Sequence, residues 1–209
     1  MKKLLQGVAA AASGVILNPL RRRKAELLFP LPRVTGLWEV NCFRPAPLAV
    51  TGPQLRLGPL RWKDVIGPNL VVNEGLSYLL QCGLSNETSA ITIWYVLLMD
   101  ASPSVAADDT MASHAGWTEN ENYDEAVRQT WVAGSESGQS VDNSASKATY
   151  TMDTDSDSVG GAALVSVSTK GGSTGTLYCG GPFTGGNKPV DDNDTLEVQA
   201  TLTQADDGV

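Results

Sequence analysis

The stretch Thr195-Leu-Glu-Val-Gln-Ala-Thr-Leu-Thr203 decides the class of fold. Leu196, Val198, Ala200 and Leu202 fall on one side of an extended chain, and Thr195, Glu197, Gln199, Thr201 and Thr203 on the other. That period of two marks a half-buried antiparallel strand. Working outward, residues 91–99, 145–152, 159–168 and 176–183 also read as strands between turn clusters. Residues 91–99 are apolar on both faces, which places them at a sheet centre or beneath a helix. One short amphipathic helix is expected over 74–82, with Leu76, Leu79 and Leu80 on one face, Asn73 as its cap and Gly83 as its stop. Five strands, with one or two more, suffice for a small sandwich. The expected fold is therefore mainly β: an antiparallel β-sandwich with one short helix and a long extended N-terminal arm.

The arm is read from proline. Most of the eleven prolines lie between residues 18 and 68, a density that forbids regular helix and discourages central strands. The same segment holds Leu27, Leu28, Phe29, Leu37, Trp38, Phe43, Leu55, Leu57, Leu60 and Trp62, too many large apolar residues for a disordered linker. Residues 1–66 thus read as a basic, Pro-rich arm whose anchors are buried on another chain. Fifty extended residues cover on the order of 160 Å. Residues 67–209 read as an acidic β-sandwich domain with a loop-rich excursion at 100–144.

Charge divides the chain at the same place. Residues 1–66 hold eleven Lys/Arg against three acids, and residues 67–209 hold four against twenty. A basic arm beside an acidic body suits contact with an acidic surface. The residues expected to touch a partner are Arg21, Arg22, Arg23, Lys24, Phe29, Trp38, Phe43 and Trp62. Four basic residues without a basic domain make a weak nucleic-acid footprint, so a protein partner is favoured. Met1-Lys-Lys3 followed by an apolar run has the look of a signal peptide, but the preferred reading is a short helix over 3–16 stopped by Asn18-Pro19. No apolar run reaches the roughly 18 residues of a membrane span.

The candidates for chemistry are sparse. Cys42, Cys82 and Cys179 are widely spaced, and His114 is the one histidine, so a zinc site and a disulfide framework are both disfavoured. Gly171-Gly-Ser-Thr-Gly175 matches the nucleophile-elbow pattern, but strands are expected on both sides where an elbow needs a following helix. Asp153, Asp155 and Asp157 alternate as in a calcium loop, yet Ser158 and Leu164 stand where Gly and Glu are required. A solvated turn is favoured there, and Asp191-Asp-Asn-Asp194 forms a second. Trp117, Tyr123 and Trp131 are expected to anchor the excursion on the sheet, residues 123–128 to make one helical turn, and Arg128 to find a carboxylate. No catalytic residue and no cofactor is expected.

Val71-Val-Asn-Glu-Gly-Leu-Ser-Tyr-Leu-Leu80, Trp94-Tyr-Val-Leu-Leu98 and Asp109-Thr-Met-Ala-Ser-His-Ala-Gly-Trp-Thr-Glu119 form an ordered series. It continues through Tyr123, Arg128, Val141-Asp-Asn-Ser-Ala-Ser-Lys147, Ser168-Thr-Lys-Gly-Gly-Ser-Thr-Gly-Thr-Leu177 and Asp194-Thr-Leu196. The series resembles a group of small virion proteins of tailed bacteriophages, over about residues 66–204. Its motifs are turn-and-strand patterns. The resemblance implies a non-enzymatic particle component, assembled in the host cytoplasm, whose partners are other virion proteins: the major capsid protein, or tail or connector subunits. Copies of itself are expected as well. The arm lies outside the resemblance, and its physics favours a capsid decoration (cement) or minor capsid protein. A tail, collar or fibre-anchoring protein is the alternative. A third reading is a carbohydrate-binding sandwich with Trp117 and Trp131 as stacking platforms.

Overall fold

A computed structural model describes residues 33–45, 57–67 and 69–205. The strands are β1 (Arg33–Phe43), β2 (Leu60–Ile66), β3 (Leu70–Val71), β4 (Trp94–Asp100), β5 (Thr130–Trp131) and β6 (Ser140–Asp142). They continue with β7 (Ala148–Thr151), β8 (Asp157–Val165), β9 (Leu177–Pro182), β10 (Lys188–Val190) and β11 (Thr195–Ala205). The helix α1 (Asn73–Leu80) runs into a single π-turn, Gln81–Ser85.

The alternating stretch is β11, and it buries Leu196, Val198 and Ala200. It pairs along its whole length with β1, from Arg33 opposite Ala205 to Phe43 opposite Thr195. That pair is the spine of one antiparallel sheet, with β2 outside β1 and both β6 and β7 on the other side of β11. The second sheet runs β3-β9-β8-β4-β5, with β10 added to β8. Inner side chains of the two sheets meet in one core, where Trp38, Val40, Tyr150 and Val198 pack with Val96, Leu98, Leu164 and Cys179. This is a β-sandwich, as the alternation requires. The outer face of the first sheet is polar, with Lys63–Glu39 and Lys147–Glu197 ion pairs bridging neighbouring strands.

The doubly apolar segment is β4, at the inside of its sheet. Its second face is covered by the excursion: Met111 and Trp117 close over Leu97, Met99, Ala163, Val165 and Leu177. Trp117 is anchored by its indole N–H, which donates to Asp109 at 3.0 Å. Residues 123–128 form bends and no helical turn. Their backbone groups bond outward instead, Asp124 N–H to Thr151 and Arg128 N–H to Ser168.

The extent of the arm is corrected. Residues 33–43 and 60–66 are full strands of the sandwich, and Trp38 is completely buried inside its own molecule. The prolines sit at the margins of these strands: Pro45 just after β1, Pro59 just before β2, which is an edge strand. The N-terminal helix expected at 3–16 lies outside the described residues.

Two details of the helix also differ. Val72, without a side-chain bond, is the capping position, and Asn73 is the first helical residue; the Val72 N–H donates to the Tyr178 carbonyl and the Asn73 N–H to the Ala107 carbonyl. The chain reverses at Asn86, φ 53°, rather than at Gly83. Tyr78 and Leu79 face the core, while Leu76, Leu80 and Leu84 are exposed. The helix lies close on β9 because residue 75 is glycine; a Cβ there would collide with the Tyr178 carbonyl. Glu74 strengthens this seat by accepting the Leu177 N–H at 2.8 Å.

Candidate functional site

The two sheets part where β1 begins and β11 ends, leaving an open cleft of about 640 Å³. Val34, Val141 and Leu202 form one wall; Leu79, Leu164 and four rings, Tyr78, Trp94, Trp131 and Tyr178, form the other. Trp94 stands between two rings, meeting Tyr78 and Tyr178 edge-on at 5.4 Å from each. Trp131 lies across from Trp94 in the β4–β5 pair and donates its indole N–H to Ala200 of the opposite sheet at 3.2 Å. Tyr78 is held by the Ile91 N–H, which its hydroxyl accepts at 2.7 Å.

The wall is uncharged at neutral pH. Burial pushes the Tyr178 hydroxyl well above its ordinary range, and burial, opposed by the Ile91 bond and aided by Cys82, raises that of Tyr78. Polarity is confined to the rim, at Glu136, Gln139, Thr203 and Gln204. The rim hairpin turns at Gly138 (φ 58°) and Gln139 (φ 65°), the pair of positive angles a two-residue turn needs. Glu136 accepts the Gln139 N–H at 2.7 Å, and the Gln139 carbonyl accepts the Gln204 N–H at 2.9 Å. The lining offers ring faces and apolar side chains and little charge.

Of the residues singled out from sequence that lie among the described residues, Trp131 alone lines this cleft. Trp38 is core, and its indole N–H has no partner among the described residues. Trp62 is half-buried on its own sandwich, 5.9 Å from the Phe183 ring, and donates to the Pro189 carbonyl at 2.9 Å. Phe43 is half-buried at the end of β1. The expectation that Trp38 anchors to another chain is replaced by burial inside its own molecule. Arg21, Arg22, Arg23, Lys24 and Phe29 lie outside the described residues.

The acidic triplet is spent on local bonds. Asp157 accepts from the Asn120 and Asn122 side chains at 2.7 and 3.1 Å; burial works against its charge, but those two bonds hold its pKa below the ordinary value. Asp155 accepts the Asp192 N–H at 3.1 Å, and Asp153 the Thr154 hydroxyl at 2.9 Å. The two acidic turns do meet, since Asp191 accepts the Ser156 N–H at 3.2 Å. Arg61 neutralises that end by pairing with Asp194 and with Asp191. Among the described residues no three His, Cys, Asp or Glu side chains converge as a metal site.

The remaining candidates are engaged in internal contacts too. His114 stacks on Trp117 with ring centres 3.7 Å apart, and its Nδ1 lies 3.1 Å from the Trp117 carbonyl. Trp117, only 5% exposed, therefore has no free ring face for a sugar. Gly171–Gly175 lies in the connection between the antiparallel strands β8 and β9, with no helix after it. Arg128 finds Glu119: Nε and Nη2 donate to the two carboxylate oxygens at 2.9 and 2.7 Å. Its other bonds go to the carbonyls of Val167 and Gly172, at 2.9 and 2.8 Å. The excursion is thereby tied to the β8–β9 connection. Cys42 and Cys179 are buried; burial, with the Asp194 charge added, pushes the Cys42 thiol up to about 12.

Among the described residues no helix is long and apolar enough to cross a bilayer. No family model, no curated protein and no solved structure matches the chain.

Proposed function

We propose that this chain is a non-enzymatic structural protein of a tailed-phage virion, a capsid decoration or minor capsid protein anchored by its N-terminal segment. The observation that carries the reading is the division of the chain. Residues 1–32 hold six Lys/Arg and one acid, and they join an acidic sandwich at the mouth of its cleft. A basic segment of that length suits attachment to an acidic neighbouring subunit, while the acidic body keeps copies apart. The use of Arg128, Glu119, His114 and Asp157 in internal bonds supports a structural role over catalysis. The exposed leucines 76, 80 and 84 add an apolar ridge suited to a subunit contact.

The test is incorporation. Particles assembled with the full chain are expected to carry it in hundreds of copies. A chain lacking residues 1–32, checked for folding by circular dichroism, is expected to be absent from them. Six or twelve copies per particle would support the tail or collar alternative. Normal incorporation without residues 1–32 would overturn anchoring by that segment.

A further inference from the structure

The cleft between the sheets measures about 640 Å³, inside the roughly 300–1,000 Å³ range of small-ligand sites. Tyr78, Trp94, Trp131 and Tyr178 line one wall, and Trp94 is fixed by its two tyrosine neighbours. Among the described residues of the lining, Glu136 is the one charged side chain. It stands on the rim hairpin, where one carboxylate oxygen accepts the Gln139 N–H at 2.7 Å and the other is left for a further contact. The domain around the cleft is acidic, with four Lys/Arg against twenty Asp/Glu over residues 67–209. Aromatic rings attract a cation over their faces, a carboxylate at the rim adds Coulomb attraction, and the negative field of the domain steers cations toward both. An anion meets the opposite of each term. A primary ammonium must shed strongly held water to enter an apolar wall; a quaternary ammonium, its charge spread beneath methyl groups, sheds far less.

We propose that the cleft binds a free small molecule carrying a quaternary ammonium group, with the cationic head between the rings and Glu136 and an apolar body along Val141, Leu164 and Leu202. A trimethylammonium head alone leaves most of this volume empty, which is why an apolar body is part of the ligand. The aliphatic side chains of the lining supply the surface for that body, at a gain set by the apolar area removed from water. The inference does not rest on the virion reading, and the two fail separately, because ligand binding is read on the isolated protein and incorporation on particles.

The experiment titrates the full chain with benzyltrimethylammonium, with its neutral carbon isostere neopentylbenzene and with benzenesulfonate, following tryptophan emission. The cation is expected to saturate and to bind about fivefold more tightly than the isostere, the scale of a partly desolvated cation–ring contact. The sulfonate is expected not to saturate over the same concentrations. Glu136→Gln, which keeps an acceptor for the Gln139 N–H, is expected to weaken the cation about threefold and to leave the isostere unchanged. In NMR spectra of the complex, the N-methyl protons are expected to show cross-peaks to the Trp94 and Trp131 indole protons. Phosphatidylcholine vesicles, which present the same head on a membrane, are expected not to sediment the protein. Equal affinity for cation and isostere, no saturable binding of the cation, a preference untouched by Glu136→Gln, or N-methyl contacts to other tryptophans instead overturns the proposal. So does sedimentation with the vesicles, which assigns the group to a lipid surface.

Discussion

Removing the Arg128 guanidinium is the sharpest test of how the excursion is held. In Arg128→Ala the Glu119 carboxylate, whose side chain is 7% exposed, loses both of its guanidinium bonds and keeps the Gly171 N–H at 2.9 Å. The Val167 and Gly172 carbonyls lose the same donor. Breaking a buried ion pair by removing one partner costs about 3–5 kcal/mol, because the other charge stays desolvated. In a chain of this size each kcal/mol moves Tm by about 2–4 °C, so a fall of about 6–20 °C is expected. Urea titration followed by circular dichroism should show a lower midpoint with an unchanged slope. Replacing both partners, as Arg128→Met with Glu119→Met, should recover at least half of the loss, since no lone charge is then buried. A loss below about 1 kcal/mol in the single variant, the range of exposed pairs, would refute the reasoning. So would a double variant no more stable than the single one.

Gly75→Ala should destabilise the fold by about 1–3 kcal/mol through overpacking on Tyr178, against a gain of about 1 kcal/mol in helix propensity; a stabilised variant in thermal melts would contradict the close seat of α1. A thiol reagent at neutral pH should label one cysteine per native chain, Cys82, and three after urea, because Cys42 and Cys179 are buried; mass mapping that finds Cys42 labelled in the native chain would disprove this. Burial works to raise the pKa of Asp64, but Lys188 and hydrogen bonds from Val65, Thr184 and Gly185 outweigh it and hold the group below its ordinary 3.8. The stability it contributes is therefore present above its unfolded pKa and is lost as pH falls through the lower folded value. Asp64→Asn should accordingly be less stable than wild type at pH 7, with the gap closing below about pH 4, as followed by urea midpoints across that range.

Five strands were legible because each carries either an alternating period or a dense apolar run between turn residues, and β4, β7, β8, β9 and β11 fall within a few residues of where the pattern put them. β1 carried the same signal: Trp38, Val40 and Cys42 alternate inward, with Leu37 and Glu39 outward. It was masked by proline density, although the prolines flank the strands rather than interrupt them. The carboxylate expected for Arg128 was there, nine positions upstream at Glu119, but a bond between an irregular segment and a hairpin connection leaves no periodic trace. The cleft was illegible for a related reason. Trp94, Trp131 and Tyr178 lie at or next to the ends of three strands, and register alone brings those ends together.

The margins of the two sheets have a consequence for crowding. Among the described residues, β3 and β5 end one sheet with two residues each, and β6 and β7 border the other with three and four. Strands so short give an incoming chain few free amides to template amyloid-like growth. The longer border is β2, with seven residues, and there the half-exposed Lys63 places charge along the edge. Among the described residues β2 is therefore the border with the most room for a strand from a second copy, and the other margins offer such a strand little to pair with.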